Sequence, residues 1–161
     1  MIKQFCDWLA ATPLSQTFQD LLWFVPTVQT LHILSIAVVT TGVGMLAFKL
    51  MGLAGRSQTL AAMASGFLPW IWRALAVLLT TGILLTVTEP ARELLNILFR
   101  IKMLLVSAIA ILLITLQISL RNDPNFWGRS PVRRVSARAL GGVALILLAN
   151  IIVAGRWIAY I

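Results

Sequence analysis

Four apolar blocks divide the chain, and each is long enough to cross a bilayer as a helix. The first, from about Val25 to Phe48, contains no Lys, Arg, Asp or Glu. At ~1.5 Å of rise per residue it spans a ~30 Å hydrocarbon core with some tilt. The second runs from about Phe67 to Thr88, the third from about Ile97 to Leu120, and the fourth from about Ala139, a residue after Arg138, to Ile161. None alternates apolar and polar positions as a barrel strand does, and lipid admits only helices or closed barrels. The pattern predicts an all-α polytopic membrane protein, a four-transmembrane-helix bundle forming one domain over residues 1–161.

Ahead of the first span the pattern changes. Ile2, Phe5 and Leu9 recur at helical spacing among Lys3, Gln4 and Asp7. Thr12-Pro13 reads as an N-cap followed by proline at the first helical position, opening a second helix with Leu14, Phe18, Leu21 and Leu22 on one face. Two short interfacial helices over about residues 2–23 are expected. They either seal the rim of the bundle or act as a lid or docking surface.

Composition agrees with the block pattern. Of 161 residues 60% are hydrophobic and only 11% charged, which leaves no soluble surface to wet a core. The net charge of +8 would suggest nucleic acid in a soluble protein. Here most of the arginines lie in two loops between spans, so topology accounts for them and no nucleic-acid partner is expected. Lys49 and Arg56 follow the first span, and Arg121, Arg129, Arg133, Arg134 and Arg138 follow the third against Asp123 alone. The positive-inside rule sends both loops to the cytoplasm and both termini to the outer, periplasmic side. Trp8, Trp23 and Trp157 then mark the outer ends, and Trp70, Trp72 and Trp127 the inner ends. Arg73, at the end of the second span, is expected to snorkel to headgroups, and Arg121, Arg129, Arg133 and Arg134 to contact lipid. Thr40-Thr41-Gly42, Thr80-Thr81-Gly82 and Gly141-Gly142 read as close packing contacts. Cys6 is the only cysteine, so a disulfide or cysteine-pair metal site within the chain is excluded.

Candidate chemistry gathers at one depth. His32 lies ~10 Å below the outer boundary, with Gln29 and Ser35 three residues to either side on the same helical face. Lys102 enters the third span from that side after Asn96. Glu89 closes the second span, while Arg156 and, deeper, Asn150 stand in the fourth. Intramembrane ionisable groups face the bundle interior and pair, so Glu89 with Arg156, and His32 with Gln29 or a carboxylate, are the expected pairs. Snorkelling is the alternative for Arg100, Lys102 and Arg156, and a satisfied structural imidazole the alternative for His32. A quinone would need only donors to its carbonyls and an apolar slot. Haem b would need a second axial ligand from Met45, Met103 or another copy of the chain. Copper held by His32 with methionines, or small-solute passage, is a third possibility. No catalytic triad, acid–base pair or phosphate loop is present. The leading expectation is therefore a non-catalytic module, an accessory subunit of a larger inner-membrane complex or a homo-oligomer.

The runs TPLSQTFQDLLWFVPTVQTLHIL (Thr12 to Leu34), Glu89-Pro90, NILFRIKML (Asn96 to Leu104) and GRWIAY (Gly155 to Tyr160) resemble an uncharacterised bacterial family of four-span membrane proteins. The resemblance covers nearly the whole chain and implies the fold and the inner membrane. Its pattern takes in His32, Glu89, Asn96, Phe99, Lys102 and Arg156. More distantly, the early membrane histidine and the Asn-x-x-Phe-x-x-Lys opening the third span are similar to the copper-resistance-D type of domain. The histidine is also similar to that of the haem-associated four-helix protoporphyrinogen oxidases. This chain departs from both in having no second intramembrane histidine.

Overall fold

The computed structural model describes residues 2–55 and 57–157. Arg56, and the expected end of the fourth span with Tyr160, lie outside the described residues. The described chain is helical, with no strand: α1 (Ile2–Ala10), α2 (Pro13–Asp20), α3 (Phe24–Met51), α4 (Leu60–Thr88), α5 (Pro90–Leu94), α6 (Ile97–Asn122) and α7 (Pro131–Trp157). A 3₁₀ turn, Phe126–Gly128, precedes α7. Helices α3, α4, α6 and α7 are each long and apolar enough to cross a membrane. The protein is a multi-pass integral membrane protein built as a four-helix bundle.

Two spans begin about two turns earlier than their apolar blocks. Thr59 caps α4, its hydroxyl accepting from the Ala62 amide at 3.2 Å, and Ala61, Ala62 and Ala64 favour helix thereafter. Pro131 opens α7, where the Ser130 hydroxyl accepts from the Arg133 amide at 3.3 Å. Hydropathy locates where a helix meets lipid, whereas caps locate where it starts. At the far end of α3, Gly52 takes a left-handed φ of 80° and closes the helix through its amide. The Lys49 ammonium donates to the carbonyls of Gly55 and Gln58, tying down the loop that follows.

Around the bundle the order is α4, α3, α7, α6, with neighbours antiparallel. Two glycines set the close approaches. A Cβ on Gly42 of α3 would lie 2.6 Å from Cγ1 of Ile71 on α4, and one on Gly141 of α7 would lie 2.7 Å from the Ala47 carbonyl oxygen on α3. Between these contacts sit the fully buried Val43, Leu46, Ile71, Leu113 and Leu116. The fourth seam, α4 against α6, is the sparsest. Gly142, by contrast, faces open space, so only one of the paired glycines makes a close contact.

The amino-terminal helices are fixed to the bundle by polar groups. A helix leaves its last four carbonyls without intrahelical partners. The Ser15 hydroxyl donates to the Val87 carbonyl at 2.8 Å, and the Gln19 amide donates to that of Thr88 at 2.7 Å. Cys6, fully buried, points its thiol at the Pro90 carbonyl at 3.6 Å. Thr12 caps α2 with Pro13 behind it, as the sequence suggests. Leu21 and Leu22, expected to extend α2, instead lie in the turn beyond its end at Asp20. The apolar side chains Ile2, Phe5, Leu14 and Leu22 are exposed. Ser15 and Gln19 thus tie the tail to α4, while Phe18 stacks on Phe24 of α3 with ring centroids 4.2 Å apart.

Candidate functional site

His32 is the centre of the polar layer near the end of the bundle that carries the tail, called the rim here. It lies on α3, half-buried, and its Nδ1 is 2.8 Å from the Thr81 hydroxyl on α4. The Thr81 hydroxyl already donates its proton back to the Val77 carbonyl at 2.7 Å. With its proton on that carbonyl the hydroxyl accepts from the imidazole, the arrangement of a neutral ring protonated on Nδ1 with its lone pair on Nε2; the reverse tautomer would take the hydroxyl proton at Nδ1. Gly82 follows Thr81, and a Cβ there would meet the His32 ring at 3.7 Å. The second Thr-Thr-Gly, expected only to pack, supplies the hydrogen-bond partner of the imidazole.

Lys102 reaches from α6 across to α7. Its Nζ passes beside Gly155, 3.9 Å from where a Cβ would stand, an ordinary contact distance. It is half-buried and within electrostatic reach of both His32 and Glu93. Glu93, on α5 outside the spans, has its carboxyl held above the usual glutamate range by burial. Lys102 and Arg92 pull it back down, and Glu89 adds a smaller upward push. His32, Lys102, Glu93 and Thr81, drawn from four different helices, form the polar layer. Sequence reasoning left Glu93 in the connecting loop and Thr81 among packing residues. The signal available for Glu93 was its spacing, nine residues before Lys102 across a short turn.

The other expected members lie elsewhere. Glu89 is exposed and pairs with Arg92 at 2.7 Å, one turn on, in place of the expected Arg156. Asn96 caps α6, its Oδ1 accepting from the Leu98 amide at 2.9 Å. Ser35 is buried and donates to the Leu31 carbonyl at 2.8 Å. Gln29 is exposed, not hydrogen-bonded among the described residues, and so does not take the expected place beside the imidazole. Asn150 is exposed too, its amide donating to the Ile146 carbonyl at 2.8 Å. Arg156 is exposed and engaged. Met45 and Met103 are partly exposed. Among the described residues no three of His, Cys, Asp and Glu gather as metal ligands, so His32 would have to find its co-ligands elsewhere.

At the opposite, arginine-rich end most cations have protein partners. Arg129 is ion-paired with Asp123 at 3.1 Å, off the line of a hydrogen bond. Arg133 stacks over Phe126 at 4.2 Å, Arg134 donates to the Gly128 carbonyl at 3.1 Å, and Arg73 lies over Trp70 at 5.3 Å. Trp72 and Trp127 bond inward, to Gln117 and Ser119, each at 2.9 Å. They are structural ties within the bundle. Arg121 and Arg138 are exposed and make no hydrogen bond or ion pair among the described residues.

This is the architecture of a small polytopic membrane protein with one polar layer near one face. No protein family, no curated protein and no solved structure matches the chain.

Proposed function

We propose that the chain is a non-catalytic membrane module that works by assembling with other membrane helices, as an accessory subunit of an inner-membrane complex or as a homo-oligomer. The proposed orientation follows the loop charges, with the arginine-rich end in the cytoplasm and the rim outside. The carrying observation is the exposed amide of Asn150. It stands on α7 about 10 Å along the helix axis from Trp157, on a surface otherwise apolar. Exposed Gln29 on α3 repeats the pattern at the rim. Amides on a span are costly against hydrocarbon and serve as interhelical hydrogen-bonding groups, each worth about 0.6 to 2 kcal/mol. In blue-native electrophoresis from mild detergent, the protein should migrate as a complex, and Asn150→Leu with Gln29→Leu should shift it toward the monomer. A monodisperse wild-type monomer without co-purifying membrane protein would sink the reading.

A second reading rests on the open Nε2 of His32, with Lys102 nearby. The Nδ1–H tautomer makes the ring an acceptor at Nε2, suited to a quinol hydroxyl or to a haem iron, while the donor to a quinone carbonyl would be Lys102. Copper or small-solute passage ranks behind both. The purified protein would then carry a Soret band or stoichiometric quinone that disappears in His32→Ala. A featureless spectrum and a quinone-free extract would remove this reading.

A further inference from the structure

Between the first half of α4 and the last turns of α6 lies a half-open cavity of about 330 Å³. Its α4 wall is Ala61, Ala64, Ser65, Leu68 and Pro69, small or apolar throughout. The Trp72 indole donates to Gln117 across the seam, and both residues line the cavity. The α6 wall ends in Leu120 and Arg121.

Arg121 separates this cavity from an ordinary lipid-facing groove. The arginine-rich end also carries Lys49, Arg73, Arg129, Arg133 and Arg134, and each of these is engaged by a carbonyl, a carboxylate or an aromatic ring. Arg121 has no such partner among the described residues, and its side chain stands in the last turn of α6, beside the apolar cleft. A guanidinium at headgroup depth beside an apolar slot is complementary to one kind of molecule. Its phosphate accepts two N–H bonds from the fork and its acyl chain fills the slot.

We infer that the α4–α6 seam is a binding site for one anionic phospholipid, with the headgroup phosphate on Arg121 and an acyl chain between Ala61, Ala64 and Leu68. The bound chain fills the space that side chains leave at this seam, so the lipid acts as a structural part of the bundle. Neither a carboxylate nor a metal is needed, and the site is independent of the layer around His32.

Native mass spectrometry of the full chain, exchanged into defined phosphatidylglycerol or phosphatidylcholine, tests this. One phosphatidylglycerol should be retained per chain, at least tenfold in preference to phosphatidylcholine. Arg121→Gln should abolish the preference, while Arg138→Gln, outside the cavity, should leave it intact. Ser65→Phe, at an exposed wall position where folding is not at stake, should fill the slot and expel the lipid with Arg121 still present. Equal retention of the two lipids, or a preference that survives Arg121→Gln, would overturn the assignment. So would efficient cross-linking of Ser65→Cys between two chains in native membranes, because a second copy would then occupy the seam.

Discussion

The α3–α7 seam and the α4–α6 seam are both antiparallel contacts between spanning helices, yet they pack very differently. At the first, Gly141 lets the backbone of α7 approach the Ala47 carbonyl so closely that a Cβ would stand 2.7 Å from the oxygen. At the second, the helices stand apart around a cavity of about 330 Å³, joined across it by the Trp72–Gln117 bond. Small residues alone do not explain the contrast, because α4 offers Ala61 and Ala64 to its seam. What differs is the facing helix. Gly141 meets the small Ala47, with Leu50 and Met51 beside it, whereas the alanines of α4 meet Gln117, Leu120 and Arg121. In lipid, helices gain by close van der Waals contact and not by leaving water. A small residue therefore draws helices together only when its partner can fill or match the space.

The sharpest way to break that comparison is to make the same substitution at two adjacent glycines. Gly141→Ala adds one methyl against a backbone carbonyl that cannot step aside. It should cost about 3 kcal/mol, the upper range for overpacking. Gly142→Ala adds the same methyl into open space and should be neutral or stabilising by up to ~1 kcal/mol through helix propensity. Unfolding midpoints of the two variants in one detergent provide the measurement. Equal midpoints would show that the α3–α7 approach is not set by Gly141.

The same contrast explains what the residues disclosed and what they withheld. The four spans were legible because lipid demands long uncharged runs, and the Thr12-Pro13 cap because its chemistry is local. Depth singled out His32 and Lys102, with snorkelling left open for Lys102, and both are half-buried in the bundle. Their partners were not legible, since hydrogen bonding across a seam depends on helix rotation. Thr81 lies forty-nine residues from His32, and its role rests on which way α4 is turned. Depth also misled. Asn150 and Gln29 share the level of His32 but stand on outward positions, and Asn96 is consumed as a cap. In the tail, helical spacing located the helices but not how they dock: α2 ends before Leu21 and Leu22, Phe18 stacks on Phe24, and the open carbonyls of α4 take Ser15 and Gln19.

At the rim the loose seam is bridged by α5, and here a smaller effect sharpens the comparison. Glu93 on α5 lies within electrostatic reach of Lys102 on α6, so a charge interaction spans the α4–α6 connection where side-chain packing is thin. Burial holds the Glu93 carboxyl above its ordinary range, while Lys102 and Arg92 oppose that shift. The folded protein accordingly binds this proton more readily than the unfolded chain does. The stability linked to the protonated carboxyl is complete below the ordinary glutamate range and is lost as pH rises through the raised value. Glu93→Gln keeps the shape and removes the titration, so its unfolding midpoint should vary less than that of the wild type across that window. The difference should be small, because the nearby cations offset much of the burial. Superimposable pH profiles for the two proteins would place Glu93 in ordinary solvent and remove the charge interaction across the α4–α6 connection.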